Sequence, residues 1–140
     1  MHIGIAGVGK MGAAIAARLM EVGNQVTVWN RSSEKTKPLA DAGAKIAATP
    51  ADLAKVVEAV ISILTDAAAI NATYGGPSGL LAADIKGKLF IDMSTVQPQT
   101  EIALAEKLRQ RCGFCRMSSR RHHGACATRQ ALRFCRRQWC

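Results

Sequence analysis

Short apolar runs alternate with helix-like stretches along the first 110 residues. The runs are five or six residues long, which is typical of buried strands, and they occupy residues 2–6, 25–29, 59–64 and 88–93. Helical patterns occupy residues 13–22, 50–57, the stretch after Asp66, and 99–109. Strands that alternate with helices in this way predict an α/β domain whose parallel sheet is covered on both faces.

Two helix starts and one helix face can be predicted from local residue types. Ser32 or Ser33 is expected to cap a helix through residues 39–40, because a serine hydroxyl can accept a bond from a free N–H of the first turn. Thr49 followed by Pro50 is expected to open the next helix. In the last helix, the periodicity predicts an inward face made of Ile102, Ala105 and Leu108.

A glycine-rich turn follows the first strand and opens the first helix. In Gly7-Val8-Gly9-Lys10-Met11-Gly12, Gly7 permits a sharp turn, Gly9 lets the backbone approach a pyrophosphate, and Gly12 allows close packing of helix on strand. The N–H groups at the start of the helix then face the phosphates. This context predicts a Rossmann-type doubly wound domain that binds a dinucleotide. The alternative is a tight turn without a ligand.

The residues after the second strand bear on which dinucleotide is bound. A site for NAD normally has Asp or Glu there to bind the ribose 2′-hydroxyl, but this chain has Asn30, Arg31 and Ser32, with Lys35 or Lys37 as a further cation. A guanidinium can pair with a 2′-phosphate. We therefore expect NADP, with NAD possible. The alternative is that Arg31 is a solvated surface charge.

Three stretches together resemble the β-hydroxyacid dehydrogenase family, the group of 3-hydroxyisobutyrate dehydrogenase, tartronate semialdehyde reductase and the glyoxylate and succinic semialdehyde reductases. They are residues 3–12 with 26–32, residues 61–66, and residues 90–98. The resemblance implies that Leu64 and Thr65 border the cofactor. It also implies that Ser94 and Thr95 lie by the nicotinamide and the substrate carboxylate, with Thr95 touching both. From the residues alone, Ser94 and Thr95 serve equally well as a cap for the helix near Pro98.

The resemblance also implies an oxidoreductase that acts on a small β-hydroxyacid or reduces its semialdehyde. In that family the catalytic lysine comes from an all-helical domain that follows the Rossmann domain, and this sequence ends before it. We therefore assign no catalytic residue and expect the chain alone to be catalytically incompetent. The alternative is a dinucleotide-binding module that is not an enzyme.

Charge and cysteine divide the chain into two regions near residue 110. Residues 1–110 carry 11 Lys and Arg against 10 Asp and Glu, whereas residues 111–140 carry eight Arg, no acid and all five cysteines of the chain. A nucleic-acid-binding protein that uses this arginine-rich tail is a further alternative. The tail also has Cys and His residues that suggest zinc, but their spacing is irregular and no metal site is assigned: Cys112, Cys115, His122, His123 and Cys126.

We interpret residues 111–140 as an out-of-frame tail. If the codons from Cys112 onward are read one base later, the permitted residues resemble the family's next strand and its Gly-Gly loop. Under this hypothesis the basic charge does not indicate a nucleic-acid partner, and the domain is 1–110.

The sequence shows no stretch of 18 apolar residues and no leader pattern, so we expect a cytoplasmic protein without a membrane partner. The expected partner is a small hydroxyacid or semialdehyde, and the complete enzyme can be an oligomer.

Overall fold

The computed structural model of the chain describes residues 1–112. The strands in this range are β1 (His2–Ala6), β2 (Gln25–Trp29), β3 (Lys45–Ile46), β4 (Ala59–Ser62) and β5 (Leu89–Asp92). The α-helices are α1 (Lys10–Glu21), α2 (Lys37–Asp41), α3 (Pro50–Val56), α4 (Ala67–Tyr74) and α5 (Pro98–Cys112), with single 3₁₀ turns at Ser33–Thr36 and Leu80–Ala82.

All paired strands are parallel, in the order β3-β2-β1-β4-β5. The chain therefore starts in the middle of the sheet, winds to one edge, and then crosses back to the other side of β1. This confirms the Rossmann-type doubly wound sheet. Ligands bind such sheets where the strand order reverses, which here is the crevice between the carboxyl ends of β1 and β4.

The strand register brings four strand ends to one level. Ala6 is paired with Trp29 on one side and with Ser62 on the other, and Ser62 is paired with Asp92. The residues that follow these four positions must therefore share one edge of the sheet, although they are far apart in sequence.

Two apolar clusters, one on each face of the sheet, hold the helices in place. The first packs α3, α4 and α5 on the sheet and includes Leu53, Tyr74, Phe90 and Leu108. The second packs α1 and α2 and includes Ile5, Val28 and Leu39. Burial of both faces explains why the strands are almost continuously apolar instead of alternating.

The predicted serine cap is wrong. Ser32 precedes only the 3₁₀ turn Ser33–Thr36, and neither this turn nor α2 has a side-chain cap hydrogen bond. The Ser32 carbonyl instead accepts bonds from Asn30 Nδ2 at 3.0 Å and from the Lys35 N–H at 3.2 Å. Pro38 lies in the first turn of α2, where its fixed φ suits a helix start.

The prediction for the next helix is confirmed, because Thr49 Oγ1 accepts the Asp52 N–H at 3.1 Å and Pro50 begins α3. The predicted face of α5 is partly wrong. Leu108 is fully buried, but Ile102 is 59% exposed and Leu104 is buried in its place. Because Leu104 and Leu108 are four residues apart, they lie on one helix face, and Ile102 lies off it.

The sequence pattern missed β3. This strand has only two residues, both exposed, at the edge of the sheet. A segment this short has no hydrophobic periodicity by which it can be recognised.

Candidate nucleotide-binding site

Gly7 and Gly12 are required by the packing of the glycine-rich turn. Gly7 has a φ of +101°, and its N–H donates to the Trp29 carbonyl at 2.9 Å. A Cβ at Gly7 would overlap the carbonyl oxygen of Ile63, and a Cβ at Gly12 would overlap that of Gly7. These two glycines therefore let β1, α1 and the segment after β4 approach one another closely.

Gly9 has a different role, because a Cβ there would meet nothing within 4 Å. It occupies the capping position of α1 with no side-chain cap bond, so the space before the first turn of the helix is open. The first N–H groups of a helix lack partners within the helix and carry its positive dipole end. A bare backbone facing open space at a helix N-terminus fits the pyrophosphate of a dinucleotide.

Asn30 ties the glycine-rich turn to the end of β2. Its Oδ1 accepts the Val8 N–H at 3.0 Å, while its Nδ2 donates to the Ser32 carbonyl. The predicted cofactor residue Asn30 therefore uses both ends of its amide within the protein. It shapes the turn and the segment that carries Arg31.

Arg31, Ser32 and Lys35 are exposed and line the same cleft as Gly7 and Gly9. Two cationic side chains and one hydroxyl thus stand at the end of β2, where an NAD site would carry a carboxylate. The arrangement suits a phosphate, because a guanidinium offers paired donors to its oxygens.

Asp66 caps α4 and lies in sequence between Thr65 and Ala69, which both line the cleft. Its Oδ1 accepts the Ala69 N–H at 2.7 Å, and its Oδ2 accepts the Thr65 hydroxyl at 3.1 Å. These hydrogen bonds lower the pKa of Asp66, and the positive charge of Arg31 lowers it further.

The cleft has a volume of about 450 Å³ and opens at the carboxyl edge of the sheet. Nine of the predicted cofactor residues line it: Gly7, Val8, Gly9, Asn30, Arg31, Ser32, Lys35, Leu64 and Thr65. The remaining four are outside its lining: Lys10, Met11, Gly12 and Thr95. Lys10 and Met11 lie on the exposed first turn of α1, and Gly12 is buried beneath the turn.

Sequence reasoning missed one wall of the cleft, which is the loop of residues 75–79 after α4. The Ala51 N–H donates to the Ser78 carbonyl at 3.0 Å, so this loop is held by the start of α3. The two glycines and the proline in residues 75–77 signal a turn. They do not signal which part of the chain the turn approaches, because that contact is long-range.

Ser94 and Thr95 are placed differently from each other. Ser94 is 7% exposed, and its hydroxyl lies between Asp92 and the Leu64 backbone, whereas Thr95 is exposed. Since α5 begins at Pro98, Gln97 and not Ser94 or Thr95 precedes the helix. Their contact with a substrate carboxylate stays a prediction. The Cys and His residues considered for zinc lie outside the described residues, except for Cys112.

The sequence matches a family model described as the NAD binding domain of 6-phosphogluconate dehydrogenase, over residues 2–115. The chain belongs to this family. The match includes the glycine-rich turn, the end of β2 and both segments that follow β4 and β5. The family is broader than the β-hydroxyacid dehydrogenase group, so membership of that group stays a prediction.

Curated relatives are similar over most of this chain but are much longer. The protein named cytokine-like nuclear factor N-PAC from Danio rerio is 36% identical over 112 residues, which is 80% of this chain and 24% of that protein. The protein of the same name from Homo sapiens is 37% identical over 111 residues, which is 79% of this chain and 20% of that protein. The chain thus spans a quarter or less of the length of these relatives.

Solved structures of reductases share the fold. An imine reductase from Myxococcus stipitatus in complex with NADP+ has a TM-score of 0.73 at 25% identity, covering 79% of this chain and 38% of that one. A reductive aminase from Aspergillus terreus in complex with NADPH and ethyl levulinate has a TM-score of 0.71 at 30% identity, covering 83% and 39%. This chain therefore has the NAD(P)-binding fold of dehydrogenases and reductases. Among residues 1–112, no helix has the length and apolar character needed to cross a bilayer.

Proposed function

We propose that this chain is the NADP-binding domain of a reductase of the β-hydroxyacid dehydrogenase group. The observation that carries the proposal is the position of Arg31, Ser32 and Lys35 on one cleft with the open turn at Gly7 and Gly9. The turn suits a pyrophosphate, and the cationic cluster suits the 2′-phosphate that distinguishes NADP from NAD. NADP+ and NADPH in solved relatives are consistent with this assignment.

Each part of the cleft has a defined task in this proposal. The backbone at Gly9 and the start of α1 hold the pyrophosphate, and the Arg31 guanidinium pairs with the 2′-phosphate. Leu64 and Thr65 form the wall beside the cofactor at the end of β4. Bound NADPH supplies a hydride, and the protein positions the cofactor for transfer. The substrate class is a small hydroxyacid or its semialdehyde.

Titration with NADPH and NADH tests the cofactor assignment. Trp29 lines the cleft, so its fluorescence reports binding, and a Trp139→Phe background removes the signal of the second tryptophan. We expect tighter binding of NADPH, and we expect Arg31→Ala to weaken NADPH by about tenfold while NADH changes little. Arg18→Ala is the matched control, because Arg18 is exposed, pairs with Glu21 and does not line the cleft. Tighter binding of NADH by the unchanged chain would overturn the preference.

A module that binds the dinucleotide without catalysis is the second candidate. Among the cleft-lining residues in the described range, the titratable ones are Arg31 and Lys35, and both belong to the 2′-phosphate cluster. The cleft wall at Leu64 and Thr65 thus presents no group with a pKa suited to proton transfer. The curated relatives are named as nuclear factors and not as enzymes.

A steady-state assay can exclude the second candidate. The purified chain is incubated with NADPH and glyoxylate, succinic semialdehyde or a cyclic imine, the last because the solved relatives include imine reductases. We expect binding without turnover. Oxidation of NADPH that depends on the added substrate would exclude the module and would show that the chain supplies its own proton donor.

We also propose that residues 111–140 are translated out of frame and that the protein has no nucleic-acid partner. Resequencing the coding DNA tests the first point. If no single-base change restores a long open frame past Cys140, the out-of-frame hypothesis is wrong. Salt-dependent DNA binding by the whole chain would contradict the second, and loss of that binding on removal of residues 112–140 would assign it to the tail. A cytoplasmic location belongs to the same proposal and can be checked by imaging a tagged chain.

A further inference from the structure

A buried chain of hydrogen bonds joins the end of β5 to the wall of the cleft. The Ser94 hydroxyl accepts the Leu64 N–H at 2.9 Å and donates to Asp92 Oδ1 at 2.7 Å. A hydroxyl has one proton to donate. When Ser94 donates that proton to Asp92, the lone pairs of the Ser94 oxygen are left to accept the Leu64 N–H. The orientation of Ser94 thus depends on the carboxylate beneath it.

Asp92 fixes hydroxyls on two sides through one oxygen. Besides Ser94, its Oδ1 accepts the Ser62 hydroxyl at 2.7 Å, and Ser62 Oγ lies 2.6 Å from the Tyr74 hydroxyl. Asp92 is 4% exposed, and its Oδ2 has no hydrogen-bond partner among the described residues. No salt bridge within residues 1–112 involves Asp92.

This arrangement is costly for stability alone. A carboxylate buried without a cation and with one oxygen unsatisfied destabilises a fold relative to apolar residues of similar size. The same carboxylate, however, fixes the hydroxyl that holds the backbone immediately before Thr65. Leu64 and Thr65 both line the cleft.

We propose that Asp92 is a positioning residue for cofactor binding, and that it acts through Ser94 on the backbone of Leu64 and Thr65. This inference rests on the proposed function, because the wall it positions is the one assigned to the cofactor. It also changes the role of Ser94: the hydroxyl orders the cleft wall from below, while Thr95 remains the exposed member of the pair.

Three variants of the network separate positioning from general stability. Ser94→Ala removes the acceptor of the Leu64 N–H, and Asp92→Ala removes the acceptor that orients the Ser94 hydroxyl. Ser62→Ala removes a donor to the same Asp92 oxygen but does not touch Leu64, so it is the matched control. Asp92→Asn keeps the Oδ1 acceptor and removes the buried charge, so it is the conservative rescue. If Ser62→Ala fails to fold, Tyr74→Phe is the second control, because it removes only the hydroxyl next to Ser62.

Two measurements are made on the full chain: NADPH affinity and hydrogen exchange of the Leu64 amide, both compared with the thermal unfolding midpoint. We expect Asp92→Ala and Ser94→Ala to weaken NADPH by about fivefold and to speed Leu64 exchange beyond the change in global stability. Ser62→Ala should lower the unfolding midpoint but leave NADPH affinity and Leu64 exchange unchanged relative to global stability. Asp92→Asn should retain the wild-type NADPH affinity and the wild-type protection of Leu64. The double variant Asp92→Ala/Ser94→Ala should bind NADPH no more weakly than Ser94→Ala alone, because both substitutions act through the bond between Ser94 and Leu64.

Two outcomes would overturn the inference. One is Leu64 exchange that stays at the wild-type rate in Ser94→Ala and Asp92→Ala. The other is a loss of NADPH affinity in Ser62→Ala equal to that in Asp92→Ala, which would indicate destabilisation only. Failure of the wild-type chain to bind NADPH or NADH would instead overturn the proposed function, and the exchange of Leu64 would still decide whether Asp92 orders the segment after β4.

Discussion

Asn30 Oδ1 lies 3.0 Å from the Val8 nitrogen and accepts its N–H, so the end of β2 fixes the glycine-rich turn after β1. The same amide donates to the Ser32 carbonyl. The glycine-rich turn and the segment that carries Arg31 are therefore ordered by one side chain. If NADP binds as proposed, a change at Asn30 acts on both the pyrophosphate and the 2′-phosphate ends of its adenosine half.

Two substitutions of Asn30 should give different results. Asn30→Ala removes both hydrogen bonds, and we expect it to weaken NADPH and NADH alike, by about tenfold. Asn30→Asp keeps an acceptor for Val8 but places a negative charge beside Arg31, so NADPH should weaken more than NADH. Trp29 fluorescence titrations measure both. Equal losses for the two cofactors in Asn30→Asp would contradict a 2′-phosphate at this position.

Alanine at Gly7 and at Gly9 should separate folding from binding. Gly7→Ala combines a positive φ with an overlap on the Ile63 carbonyl, and we expect it to lower the free energy of unfolding by about 2 kcal/mol or more. Gly9→Ala meets open space, so its stability should change by less than about 1 kcal/mol. Its methyl group should nevertheless weaken NADPH by about tenfold or more, because it occupies the approach of the pyrophosphate. Urea denaturation and titration of both variants check this, and unchanged affinity in Gly9→Ala would count against the site.

Leu108 and Ile102 test the orientation of α5. Leu108→Ala removes a fully buried side chain, and we expect a loss of about 2–5 kcal/mol in the free energy of unfolding. Ile102→Ala changes a side chain that is 59% exposed, so it should alter stability by no more than about 0.5 kcal/mol. Urea denaturation at one pH compares them. Comparable losses in both variants would mean that α5 packs on a different face.

Stability should fall in mildly acidic solution because of His2. Burial lowers the pKa of His2 from 6.5, and the charge of Lys45 lowers it further. The unfolded chain therefore binds a proton more readily than the folded one, and stability decreases as pH falls from about 7 to about 5. His2→Gln should reduce this dependence, as measured by urea midpoints across the range. Asp52 and Asp66, whose pKa values are lowered from 3.8, contribute stability that is lost only in more acidic solution. Between about pH 5 and about pH 7 the two aspartates therefore do not contribute, and the comparison reports on His2 alone. If the urea midpoint of His2→Gln changes with pH as steeply as that of the wild-type chain, the role of His2 is contradicted.

Local signals made much of the site predictable. The order of strand, glycine-rich turn and helix predicts the corner that leads into α1, because the three elements follow one another directly in the sequence. Arg31 and Ser32 follow β2 directly, so the register of one strand places them. Thr49 and Pro50 mark the start of α3 because a helix cap acts on the residues that follow it directly in the sequence.

Other features depend on contacts between distant segments. Leu104 and Ile102 are both apolar, and the position of the sheet beneath α5 decides which of them is buried. The loop of residues 75–79 becomes a cleft wall only through its bond to Ala51. The Ser94 hydroxyl is committed to Asp92 and Leu64, which no local pattern could indicate.

The two ends of the site differ in how freely they can change during evolution. Gly7 is confined by the Ile63 carbonyl, so almost any replacement disturbs the junction of two crossovers. Arg31 and Ser32 have exposed side chains on the same cleft, and a replacement there leaves the packed core intact. If Arg31 pairs with the 2′-phosphate as proposed, one or two substitutions after β2 would be enough to shift the preference between the two nicotinamide coenzymes. The corner at Gly7 has no comparable freedom, because a side chain there would overlap the Ile63 backbone.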